Sequence, residues 1–190
     1  EDAMQLDPTS VAAQSQRRNL EMYANSLGTV LIGGGSQTIE HTGPLLAQDV
    51  RFRIRAVFAF SEEEAKALCS ACERMLASDA PGTASGHNLR PQVLWGSEGL
   101  QEILRREDIT ICVVDVHHKL LPGLLPKLWA AGKHVLSHSP LAYDLGVART
   151  LLKAYKEMPQ DLPRPAWHAL QAVRLEDALQ VAGESLEKVG

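Results

Sequence analysis

Long apolar runs are missing from this 190-residue chain. No stretch approaches the roughly 20 residues a helix needs to cross a bilayer, so no membrane span is expected. Cysteine is scarce. Three residues, an odd number, argue against a disulfide framework and for a reducing intracellular compartment, cytosol or organelle matrix. A basic excess is also lacking: Lys and Arg number 19 against 23 Asp and Glu, a formal charge of -4, whereas nucleic acid calls for a positive surface. Arg17, Arg18, Arg51, Arg53 and Arg55 are local exceptions and read as solvated faces. No Met opens the chain at Glu1, which reads as a processed or trimmed start with any targeting peptide gone.

What is present suits an ordinary globular fold, with 45% hydrophobic and 22% charged residues and enough length for one full core. Asp7-Pro8 is a helix start, an N-cap acceptor followed by proline at the first helical position. It predicts an N-terminal helical extension over residues 1–28. Thr29 to Ile32 is apolar and β-branched and stops at Gly33-Gly34-Gly35, as a buried strand feeding a tight turn does. A second strand is expected at Arg53 to Ala59. Ser61 with Glu64 forms a capping box, after which Ala65, Leu68, Cys69, Cys72 and Met75 recur on one helical face.

Residues 78–91 are polar and glycine-rich and predict a mobile loop. Further strands are expected at Gln92 to Trp95, Ile109 to Val116, Lys133 to Ser137 and Ala166 to Ala172. Helical patterns separate them near 97–106, 120–131 and 142–157, and a last helix is expected over 175–188. In 142–157, Leu145, Ala148, Leu152 and Tyr155 share a face. Strands apolar on both faces and alternating with helices predict an α/β fold, a doubly wound parallel sheet over residues 29–174.

The glycine turn carries a mechanism in this context. One glycine makes the bend, the next lets backbone N–H groups approach a pyrophosphate, and the helix N-terminus favours the anion. Gly33 and Gly35 fill the first two places, while the third falls on Thr38 in place of Gly or Ala. A plain tight turn is the alternative. His41, His117, His118 and His138, with Asp115, all fall near the carboxyl edge of the sheet. Their spacing fits no compact zinc signature, so no metal site is expected. His118 and His138 are the candidate general acids, since imidazole titrates near neutral pH. Cys69 and Cys72 form a CxxC on an apolar helix face and read as packed thiols. Trp129 and Trp167 read as core.

The segment from Ala131 to Ala142 resembles the AGKHVL-x-EKPLA segment of the glucose-fructose oxidoreductase/inositol dehydrogenase (Gfo/Idh/MocA) family, matching nine of its twelve positions. Val30 to Pro44, Ala56 to Leu68 and Trp167 to Ala178 extend the likeness, the last resembling a WxVxENxRxEPA segment through Trp167, Arg174, Glu176 and Ala178. The resemblance implies a Rossmann domain holding NAD or NADP at the strand ends. The residues it places there are Gly33, Gly34, Gly35, Ser36, Gln37, Thr38, Phe60, Ser61, Asp115, Val116, His117 and His138. It also implies a second α/β domain with a substrate pocket and a catalytic histidine, expected to be absent from a chain that stops at Gly190, with 175–190 leading towards it.

Departures from the family pattern bear on chemistry. The Glu and Lys of its EKP motif are His138 and Ser139 here, and an uncharged serine cannot steady developing charge as a lysine does. The second strand ends in Phe60-Ser61, neither the carboxylate that binds ribose hydroxyls nor the arginine that favours a 2'-phosphate. The expectation is a catalytically degenerate nucleotide-binding domain serving as a binding or structural subunit. A protein partner or a second copy would cover the surface left by the missing domain. The alternative is an NAD(P)-dependent oxidoreductase acting on a sugar, polyol or related hydroxyl or carbonyl substrate.

Overall fold

In a computed structural model, the described residues are 26–49, 51–77, 90–159 and 164–170. The expected N-terminal helix, most of the 78–91 loop and the last helix lie outside them. Strand β1 is Leu27–Ile32, beginning two residues earlier than the sequence pattern indicates, because the Leu27 N–H is already held by the Arg51 carbonyl at 2.7 Å. The chain becomes helical at residue 36. It runs through a π-helical turn, Thr38–Thr42, into α1, Gly43–Gln48. Then come β2 (Phe52–Ala59), α2 (Glu62–Ala77), β3 (Gln92–Trp95) and α3 (Gly96–Arg105). The second half holds β4 (Ile111–Val114), α4 (Leu121–Ala130), β5 (His134–His138), α5 (Leu145–Lys156) and β6 (Trp167–Leu170).

The six strands form one sheet in the order β3-β2-β1-β4-β5-β6, with every pair parallel. Strand order reverses between β1 and β4. In such sheets the crevice for ligands opens at the carboxyl ends of the strands flanking that reversal. Burial follows from the connectivity, since helical crossovers cover both faces. One apolar cluster joins Val30, Ile32, Phe58, Cys112, Val114 and Trp129. The other joins Leu31, Val57, Leu68, Cys69, Cys72 and Val113. Neighbouring strand residues thus alternate between two cores.

Local sequence rules hold at several ends. Ser61 caps α2, its Oγ accepting the Glu64 N–H at 3.3 Å, the bond the capping box predicts. Lys133, from the motif that best carries the family likeness, has its Nζ buried beneath the opposite rim, donating to the carbonyls of Arg106 and Ile109. That part of the motif is a folding feature: the ammonium satisfies two carbonyls that burial would otherwise leave bare.

Two expectations are corrected. On α5, Leu145 and Leu152 are 65% and 45% exposed, whereas Leu151 is buried and Val147 and Tyr155 pack beside it. The Leu145, Ala148 and Leu152 face instead borders an open groove of about 320 Å3 with Leu141, Trp167 and Ala169. Arg53 and Arg55 are half-buried rather than solvated, because they lie in β2, where part of each stem is covered by neighbouring chain. Arg51 is exposed and pairs with Asp49.

Candidate functional site at the glycine turn

The turn after β1 lies on the carboxyl rim, next to the strand-order reversal. Gly33 has φ +83°, and a Cβ there would stand 2.2 Å from the Asp115 carbonyl oxygen. Only glycine satisfies both conditions. Its N–H donates to the Phe58 carbonyl at 2.8 Å, and the Asp115 N–H donates to the Ile32 carbonyl at 2.8 Å. These bonds lock the ends of β1, β2 and β4 together.

A cavity of about 530 Å3 opens beside the turn. Of the residues singled out in the sequence, Gly33, Gly34, Phe60, Asp115, Val116 and His117 line it. Phe60 is 45% exposed and packs edge-on against Phe58, so it borders the cavity without filling it. Sequence reasoning missed Glu64, Ala67, Ala71 and Arg74, which line the cavity from one face of α2. Their spacing, with two alanines in the middle, was the available signal. Leu68, from the core face of the same helix, lines the cavity too.

The other expected site residues lie elsewhere. Ser36 is exposed, and Ser61 is occupied as a cap. His118 stacks beside His117, ring centroids 4.1 Å apart, and faces Tyr143 at 6.5 Å. His138, at the end of β5, is only 9% exposed, and its Nε2 meets the Thr42 Oγ1 at 3.2 Å. Burial pushes its imidazole below the ordinary value, His41 adding to the effect and Asp115 opposing it. Among the described residues no group of three or more His, Cys, Asp or Glu side chains is arranged to hold a metal ion. Nor is any described helix long and apolar enough to cross a membrane.

Thr38 takes the third place of the glycine pattern and is fully buried. Its N–H is shared, donating to Asp115 Oδ2 at 2.9 Å and to the Gly35 carbonyl at 3.1 Å. The Asp115 carboxylate also lies over Gly35, where a Cβ would fall within 2.3–2.4 Å of the carboxyl atoms. Asp115 therefore spends an amide at the start of the helical stretch 36–48 on an internal anion.

The sheet order, with the glycine turn on the rim and a cavity beside it, defines a Rossmann-type α/β domain of the doubly wound class. The family model for the Gfo/Idh/MocA oxidoreductases, described as an NAD-binding Rossmann fold, matches residues 27–162. The chain belongs to that family. Dehydrogenase FPY6 of Fusarium mangiferae is 28% identical over 166 residues, covering 86% of this chain and 43% of that protein. The structure of KijD10, a 3-ketoreductase from Actinomadura kijaniata in complex with TDP-benzene and NADP, superposes with a TM-score of 0.63 at 18% identity. It covers 86% of this chain and 44% of KijD10. The same enzyme with NADP alone gives the same figures. The chain thus spans less than half the length of the relatives it matches.

Several features suit an NAD(P) diphosphate. The turn lies on the correct rim, and Gly34 is exposed with only ordinary contacts for an added Cβ. The buried Thr38 hydroxyl is without a hydrogen-bond partner and can donate, whereas the equally unpartnered Gln37 Oε1 is an acceptor and does not suit an anion. The Asp115 carboxylate does not suit it, because a second anion at the same amide meets like charge at close range. With Asp115 in this position, the seat does not fit a diphosphate.

Proposed function

We propose that this region is a catalytically degenerate Gfo/Idh/MocA nucleotide-binding domain that serves as a binding or structural subunit. The observation that carries this reading is the end of β5, where the family's Glu-Lys pair is replaced by His138-Ser139. The imidazole there is buried and shifted towards its neutral form, and the serine has no charge. Neither side chain supplies the cation that would stabilise charge developing on a substrate oxygen. A protein partner, or a second copy of the chain, is the counterpart that a subunit of this kind requires.

The test is turnover. With NAD or NADP and a panel of sugars and polyols, the expected rate of reduced-cofactor formation matches that of a no-protein blank. Rates above that blank, abolished by substitution of His138, would overturn the reading. A second reading has its own support in the relatives, one named a dehydrogenase and another a 3-ketoreductase. In it, the domain is the nucleotide half of an NAD(P)-dependent oxidoreductase acting on a sugar, polyol or related substrate. Titration of NADH and NADPH followed by nicotinamide fluorescence separates the two, tight binding of either favouring the second reading and binding of neither the first.

A further inference from the structure

Asp115 borders both the glycine turn and the cavity beside it. It follows β4 directly, and three separate contacts hold it in place. Its N–H is bonded to Ile32 and its carbonyl is pressed against Gly33. Its carboxylate spans from Gly35 to the Thr38 amide. In this fold the start of the helix after β1 is the seat of a ligand's diphosphate, and here the Asp115 carboxylate stands against it, at Gly35 and the Thr38 amide. The rest of the cavity is not filled. Beyond Asp115 it runs between Phe60, Ala67, Ala71, Val116 and Leu120, with the charged Glu64 and Arg74 also in its wall, a mostly apolar space with room for a flat heteroaromatic group.

We infer that Asp115 is a specificity-determining internal anion: it competes with a diphosphate for the glycine turn and leaves the cleft selective for uncharged nucleosides over dinucleotides. The physical basis is differential. A dinucleotide must displace the carboxylate from its amide or bind against its charge, and both cost affinity. A nucleoside brings no anion to the turn and meets neither penalty. Specificity of this kind is built from a repulsive element as much as from attractive contacts. The inference rests on the reading of this cleft as a nucleotide-type site.

Calorimetric titration of NADPH and of adenosine into the chain, and into Asp115→Asn and Asp115→Ala variants confirmed as folded by circular dichroism, tests it. Asparagine keeps the shape and the bond from the Thr38 N–H while removing the charge; alanine empties the seat. The expected result is that the unmodified chain binds adenosine more tightly than NADPH. Both variants should tighten NADPH by about tenfold or more, equivalent to about 1.4 kcal/mol, while moving adenosine by less than about twofold. Adenosine binding with NADPH affinity unchanged in both folded variants overturns the role of Asp115 and leaves the nucleotide-type cleft standing. Failure of adenosine to bind any of the three folded proteins overturns that underlying reading as well.

Discussion

His138 closes β5 with its imidazole buried and bonded to Thr42, and the sign of its effect on stability follows from its depressed pKa. Between the folded value and the ordinary value near 6.5, the unfolded chain holds more protons than the folded one. The contribution of this group is therefore complete above that ordinary value and is lost as pH falls through the folded value. Urea midpoints measured from pH 7.5 down to 5 should fall with pH, and His138→Asn should flatten the slope. Equal slopes in the two proteins would remove the argument. At the same scale, the glycine triplet was readable because a strand that stops at three glycines has few conformations open to it. Asp115 was legible as a residue near the rim and, through the family resemblance, as one of the cofactor-site residues, but not as a partner of Thr38. That its carboxylate points across to β1 and takes the Thr38 amide depends on β4 lying beside β1, residues far apart in sequence.

At the scale of elements, the strand pattern was legible because both faces of each central strand are buried, so apolar runs mark them without ambiguity. The Ser61 cap was legible because it acts over three residues. Helix α5 was harder. Its sequence carries two apolar stripes, and periodicity cannot say which one meets the sheet. Truncation should separate them: Leu151→Ala is expected to lose about 2–5 kcal/mol of stability, as buried leucines do, while Leu152→Ala should stay within about 0.5 kcal/mol, as exposed positions do. Denaturant unfolding measures both, and similar losses would contradict the assigned faces. The missed lining residues of α2 belong to the same difficulty. One face of that helix is core and the adjoining one is cavity wall, and only the neighbouring turn makes it so.

Across the whole molecule, the sheet separates two apolar cores, and free thiols report on each: Cys112 in one, Cys69 and Cys72 in the other. Burial pushes both Cys72 and Cys112 up to about 12, leaving almost no thiolate at neutral pH to react. Labelling by a thiol-disulfide reagent should therefore wait for the fold to open. All three thiols should react together, at a rate that tracks global unfolding as denaturant is raised. Fast modification of Cys72 in the native protein would show that the core over α2 is looser than the packing implies.

The order of strands and helices, the glycine bend and the family were set by the sequence itself. The first two rest on apolar runs, cap spacing and a run of small residues, and the family on the motif resemblance at Ala131 to Ala142, all patterns within a few residues of one another that hold whatever the rest of the chain does. Which stripe of α5 faces inward, which side of α2 lines the cavity, and the seating of a carboxylate at the glycine turn were decided only by the tertiary structure. Those outcomes depend on which strands become neighbours, and a contact between residue 38 and residue 115 leaves no local trace in either segment.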